Sequence, residues 1–183
     1  CGSEMHIYKG VSPYLKPSAE KPVVPGHEFG GIIKSINIGK QCDFKPGMKV
    51  VVYIALNCGN CFYCLNGMDH LCENQKFIDG WEIDGGMREE TTIPLDNLVE
   101  LPSSFDLLYS TMIEPTAVAV HAVDKINDSK VLIIGSGLIG LLILKVAKLN
   151  NNRVIALDID DYALRKAGDL MADLVINFVT VQT

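Results

Sequence analysis

Four cysteines fall within fifteen residues, Cys58, Cys61, Cys64 and Cys72, in a C-x2-C-x2-C-x7-C pattern with Gly59 and Gly67 available for turns. Thiols this crowded suit a tetrahedral metal. Four thiolates close the coordination sphere of Zn2+ at about 2.3 Å and leave no open position, which marks a structural ion. Two disulfides, or buried free cysteines, are the plainer alternatives. An iron–sulfur cluster is the sharper rival, but its C-x2-C-x2-C-x3-C-P run has a shorter last gap, and here Glu73 follows Cys72. Zinc fits best.

A second group of residues suits a dinucleotide. The apolar run 131–134 enters Gly135-Ser136-Gly137-Leu138-Ile139-Gly140, a G-x-G-x-x-G turn that opens an apolar helix. Glycines there permit a tight turn and a close approach of pyrophosphate to the helix amino end. The next apolar run ends at Asp158, eighteen residues past Gly140, where a carboxylate can bind a ribose 2′-hydroxyl and repel a 2′-phosphate. Ile159 supplies no cation beside it, so NAD is expected over NADP. Gly135, Gly137, Leu138, Ile139, Gly140 and Asp158 form the expected coenzyme set. A glycine turn needed only for packing is the competing reading.

A third set is scattered: Cys1, His27-Glu28 after Pro25-Gly26, and Glu114-Pro115. Spacing alone assigns these residues no role, and a structural His or Glu is the commoner case. Cys, His and carboxylate are nevertheless the donor types that leave an open fourth position on zinc.

The elements that must position these groups follow from periodicity. Up to about residue 102 the chain reads as short strands between turns, at 31–38, 49–56 and 87–93. Beyond residue 115 it alternates: strand 131–134, helix 138–149, strand 153–157, helix 161–167, strand 173–177. Such alternation implies a parallel sheet. The expected class is therefore α/β with a β-rich part. A doubly wound sheet ordered 3-2-1-4-5-6 needs about six strands and only three are in view, so the first would have one bare edge and the chain reads as a fragment prone to aggregate through it.

Composition excludes other classes. The 183 residues carry 16 Lys+Arg against 22 Asp+Glu, a formal charge of -6, which argues against nucleic acid or anionic membrane as a partner. The lobe around the four cysteines has no Lys or Arg, so a zinc-ribbon reader of nucleic acid is discounted. The apolar run 131–144, broken by Gly135, Gly137 and Gly140, is too short for a transmembrane helix. Reduced thiols in a metal cluster point to a cytoplasmic protein. The chain opens at Cys1, so targeting is unreadable. Cys42 is taken as an ordinary thiol, and His70 and His121 receive no role.

Taken jointly, Cys1-Gly2-Ser3-Glu4-Met5-His6, the block Pro25-Gly26-His27-Glu28-Phe29-Gly30-Gly31, the four-cysteine lobe, Glu114-Pro115 and the glycine turn with Asp158 resemble the zinc-containing medium-chain dehydrogenases of alcohols, polyols, butanediol and threonine. The resemblance implies a GroES-like catalytic domain over 1–115, amino-terminally incomplete, with a zinc lobe at 57–73. It implies the first half of a Rossmann NAD-binding domain over 116–183.

It further implies two zinc ions in the complete subunit. The lobe would hold the structural one. Cys1, His27 and either Glu28 or Glu114 would hold the catalytic one, which as a Lewis acid lowers the pKa of a bound alcohol before hydride passes to NAD. Ser3 and then His6 would relay the proton to solvent. Glu114, where alcohol dehydrogenases carry a second Cys, turns the expected substrate toward a secondary alcohol of polyol or sugar-derived type, with threonine or butanediol as the alternative. The resemblance also implies a homo-oligomeric parent of about twice this length, with the isolated piece inactive. A truncated, non-catalytic zinc module is the rival reading. Two departures stand out: Glu4 where Asp is usual, and Met171-Ala172-Asp173 in place of Gly-Ala-Asp, so the turn before the third strand is open to change.

Overall fold

The structure is a computed structural model that describes residues 2–12, 17–18, 20, 22–37 and 42–181. The chain divides into two compact units, Cys1–Ile113 and Glu114–Thr183.

In the first unit, α1 (Gly2–Tyr8) precedes β1 (Gly30–Ile32), β2 (Lys49–Val52), β3 (Ala55–Leu56), the one-turn helix α2 (Phe62–Leu65), β4 (Lys76–Phe77) and β5 (Leu98–Glu100). Two small antiparallel sheets result, β1-β2-β5 and β3-β4. Val50, Val51 and Val52 in the central strand are all buried, as is Ile78 just past β4. Gly30 allows a close approach: a Cβ there would lie 2.6 Å from the Val50 carbonyl oxygen and 2.7 Å from the Ser110 Cβ.

The expected strands are shortened for identifiable reasons. The 31–38 run is strand only to Ile32, and residue 38 lies outside the described residues. The 49–56 run is cut in two by buried Asn97, whose Nδ2 donates to the carbonyls of Tyr53 and Ala55 while its own carbonyl accepts from Tyr53 N–H. The 87–93 strand does not form. Met87 N–H is spent on the Pro25 carbonyl and Arg88 N–H on Gly86, so the sheet partner of β2 comes from beyond Pro94 instead.

The helix α3 (Ile113–Val123) starts at the division between the units. After it come β6 (Lys130–Ile134), α4 (Leu138–Leu149), β7 (Arg153–Asp158), α5 (Asp161–Asp169), β8 (Leu174–Asn177) and the short α6 (Phe178–Val181). Their order β6-β7-β8 is parallel throughout, the first half of a doubly wound sheet. Val123, Ile133, Leu144, Ala147, Val154, Ala156 and Ala167 form one core cluster. Among the described residues β6 pairs on one side only, and Ile134 is 77% exposed.

Two polar groups lock this unit. Buried Asn152 donates from Nδ2 to the carbonyls of Ile126 and Ala147 and accepts Ser129 N–H at Oδ1. Asp173 accepts from Lys148 Nζ at 2.8 Å and from Val154 N–H at 2.6 Å, and these bonds, Lys148 first, hold its carboxyl below the usual range. In the turn before β8, Met171 has φ +67°, the left-handed backbone that glycine favours, with its side chain in solvent.

No helix among the described residues is long and apolar enough to cross a membrane.

Candidate functional site

The four cysteines of the lobe come together. One sulfur from each of Cys58, Cys61, Cys64 and Cys72 lies within 4.8 Å of the others. Cys58 and Cys64 sulfurs are 4.0 Å apart, close to the roughly 3.8 Å edge of a tetrahedron with Zn–S bonds near 2.3 Å. Cys58 N–H donates to Cys72 Sγ at 3.3 Å. The thiols titrate unequally. The Asn60 backbone N–H, with further help from Cys61 and Cys72, pushes Cys58 down to about 6, whereas burial pushes Cys64 up to about 12. The donor set and its spacing fit a closed tetrathiolate zinc.

A second group forms around His27. Ligand atoms of His27, Glu28 and Glu114 lie within 4.8 Å of one another. Glu114 stands in the first turn of α3, just past the 3-10 turn Leu107–Met112, and Ser110 of that 3-10 turn is packed against Gly30. The imidazole is oriented from behind: His27 Nδ1 is 2.6 Å from Glu4 Oε1, and both side chains are largely buried. Burial opposes ionisation of Glu4, yet its own backbone N–H and the His27 ring carry its carboxyl below the usual range. With Nδ1 so engaged, Nε2 is the nitrogen left for a metal, the carboxylate–histidine arrangement that fixes a ligating ring. One imidazole and two carboxylates suit a zinc with room for a further ligand.

Ser3 and His6 both sit on α1. Ser3 Oγ donates to Glu4 Oε2 at 3.2 Å, so the hydroxyl joins the carboxylate that holds His27. His6 is exposed. Cys1 lies outside the described residues. Glu4 itself was legible only as a longer side chain beside the metal loop; its partner, twenty-three residues away, was not.

The glycine turn takes its expected form. Gly135 has φ +95°, and a Cβ on Gly140 would lie 1.9 Å from the Gly135 carbonyl oxygen, so the helix can meet the strand only through glycine. No atom would meet a Cβ on Gly137, the residue capping α4, so the space before that amino end is open. Ser136 Oγ is buried with no hydrogen-bond partner. Asp158 closes the turn. Its Oδ2 accepts Ser136 N–H at 2.5 Å, and its Oδ1 accepts the N–H groups of Ile159 and Asp160 at 2.7 and 2.9 Å. These bonds, Asp160 and Ser136 first, keep the carboxyl below its usual range and charged. Leu138 and Ile139 open α4 with exposed side chains, so their contribution here is backbone. An open cradle, a helix amino end and a fixed carboxylate fit a dinucleotide.

Residues 1–103 match the alcohol dehydrogenase GroES-like domain family. L-idonate 5-dehydrogenase of Vitis vinifera is 32% identical over 184 residues, covering 98% of this chain and 50% of that protein. A zinc-binding dehydrogenase from Sinorhizobium meliloti 1021, solved bound to NADP, superposes with TM-score 0.88 at 30% identity over 98% of this chain and 52% of its own. The rspB alcohol dehydrogenase of Escherichia coli CFT073, solved with NADH, does so with TM-score 0.84 at 35% identity over 97% of this chain and 52% of its own. The chain belongs to the zinc-containing medium-chain dehydrogenases, with a GroES-like domain followed by the first half of a Rossmann sheet. It spans about half the length of the curated relatives it matches.

Proposed function

We propose that this polypeptide supplies the zinc-binding and coenzyme-binding parts of a dehydrogenase that moves hydride between a secondary alcohol, of polyol or sugar-derived type, and NAD. The observation that carries the reading is His27, pinned at Nδ1 by Glu4 and grouped with two carboxylates. Residues 1–115 would be the catalytic domain and 116–183 the coenzyme domain. His27, with Cys1 and one of Glu28 and Glu114, would hold a catalytic zinc, and the four lobe thiolates a structural one. Bound there, zinc supplies Lewis acidity that eases loss of the alcohol proton. Ser3 would take that proton, and Glu4 orients the Ser3 hydroxyl for it; His6, in solvent, would release it.

The charge fixed at Asp158 supports a free ribose 2′-hydroxyl, hence NAD. The relatives bind both NADP and NADH, so the carboxylate rather than kinship carries this preference. The idonate dehydrogenase supports a sugar-derived alcohol.

Metal analysis and coenzyme titration test the reading. Two zinc ions per chain are expected, one of them exchangeable and lost in His27→Ala, with NAD bound more tightly than NADP. A single tight zinc and no dinucleotide binding would instead mark a non-catalytic zinc module. A panel of sorbitol, iditol, butanediol, threonine and sugar acids, run on the longest polypeptide that contains this sequence, then resolves the alcohol.

A further inference from the structure

The loop that presents His27 and Glu28 is held from one side by Glu4 and from the other by a stretch sixty residues downstream. Residues 84–87 run along residues 24–26. Gly85 N–H donates to the Val24 carbonyl at 2.6 Å, Gly86 N–H to that of Gly26 at 2.8 Å, and Met87 N–H to that of Pro25 at 3.0 Å. Val24 N–H returns a longer bond to Asp84 Oδ1 at 3.4 Å. The two stretches are too close for side chains between them. A Cβ on Gly85 would lie 2.3 Å from the Gly26 carbonyl oxygen and 2.7 Å from the Pro25 carbonyl carbon. On Gly86 it would enter the Phe29 ring, 2.3 Å from Cγ and 2.4 Å from Cδ1. Gly26, at φ +105°, would meet Met87 in the same way. The metal loop therefore has no slack: the backbone entering His27 is hydrogen-bonded to residues 85–87, and the ring two residues beyond His27 rests on Gly86.

We propose that Gly85 and Gly86 are positioning residues for the metal loop, setting where His27 and Glu28 present their donor atoms. The proposal rests on the catalytic-zinc reading above. An added methyl on Gly86 must displace the Phe29 ring or lift residues 84–87 off the loop. Either movement passes within two residues to His27, whose ring is tied at its far side to buried Glu4 and cannot follow freely. The Cys58–Cys72 lobe lies between β3 and β4 and makes none of these bonds, so its metal should be indifferent to the change.

The test is zinc retention under graded chelator competition, on the whole 183-residue chain. Gly86→Ala is expected to weaken the exchangeable zinc by about 10–100-fold, the range seen when groups behind a ligand are disturbed, and to leave the lobe zinc in place. Phe29→Ala, which removes the struck Cγ, Cδ1 and Cδ2 atoms, should restore most of that affinity in the Gly86→Ala background. It should not rescue Gly85→Ala, whose methyl meets main chain. Equal retention by wild type and Gly86→Ala overturns the proposal. So does joint loss of both zinc ions, which would make the glycine a residue of the fold at large, and so does failure of Phe29→Ala to rescue. Wild-type chain that holds only one zinc removes the catalytic-zinc reading itself and the proposal with it; that result is visible before any variant is made.

Discussion

The cysteine lobe and the His27 centre gather donors of similar number by opposite means. The lobe draws all four from one fifteen-residue stretch, and small turns around Gly59 and Gly67 suffice to converge them. The His27 centre collects Glu4, His27, Glu28 and Glu114 from stretches up to 110 residues apart, and needs a helix, a glycine ladder and a 3-10 turn to bring them in. A locally built site depends on its ion for its shape. A site assembled over long range depends on the fold, and the ion takes what the fold offers.

The sharpest way to break this contrast is to remove one donor from each. Cys61→Ser should strip the lobe of its zinc and lower the thermal midpoint by more than about 10 °C, because thiolate-bound zinc carries much of the folding free energy of such loops. His27→Ala should release the exchangeable zinc and leave the transition near its original temperature. Calorimetry with metal analysis reads both; equal thermal penalties would end the distinction. Glu4→Gln tests the assembled site more finely. It keeps the shape but loses the charge behind the imidazole, and a zinc affinity lower by about 10–100-fold is expected at that site alone.

Asp158 extends the comparison to the second unit. Asp158→Asn should weaken NAD by about tenfold, on the order of one charge-assisted hydrogen bond, and narrow the gap to NADP, both by titration calorimetry. The backbone N–H groups favour its ionised form, so its folded pKa is depressed. Its contribution to stability and to NAD binding is therefore complete above the ordinary carboxylate pKa and is lost only as pH falls through the lowered one. NAD affinity should show no titration by this group between pH 5 and 8. The smallest effect is expected where the conflict is local: Met171→Gly relieves a left-handed backbone and should stabilise the second unit by about 0.5–1 kcal/mol in denaturant unfolding.

What could be read from sequence follows the same division. The lobe and the glycine turn are contiguous patterns, and the alternation beyond residue 130 gives strands and helices within two residues of those observed because helices of 12 and 9 residues, long enough to show their period, separate the apolar strands. The first unit resists such reading. Strands of two to four residues have no period to detect, and the 87–93 run, though strand-like, spends its first N–H on Pro25. The contact between Glu4 and His27 leaves no local trace, and neither does the packing of Gly86 beneath Phe29. Both exist only once the chain has closed.

The lobe leaves and re-enters the fold through one short ladder of two rungs. Ala55 pairs with Phe77 and Leu56 with Lys76, and Gln75 Nε2 donates to Asn57 Oδ1 across the neck at 2.8 Å. Its two ends are thus about 4.8 Å apart, the ordinary spacing of neighbouring strands. A hairpin turn of two residues would bridge that gap. The lobe is accordingly a detachable cassette: it could be exchanged, lengthened or deleted without stretching the strands at its base.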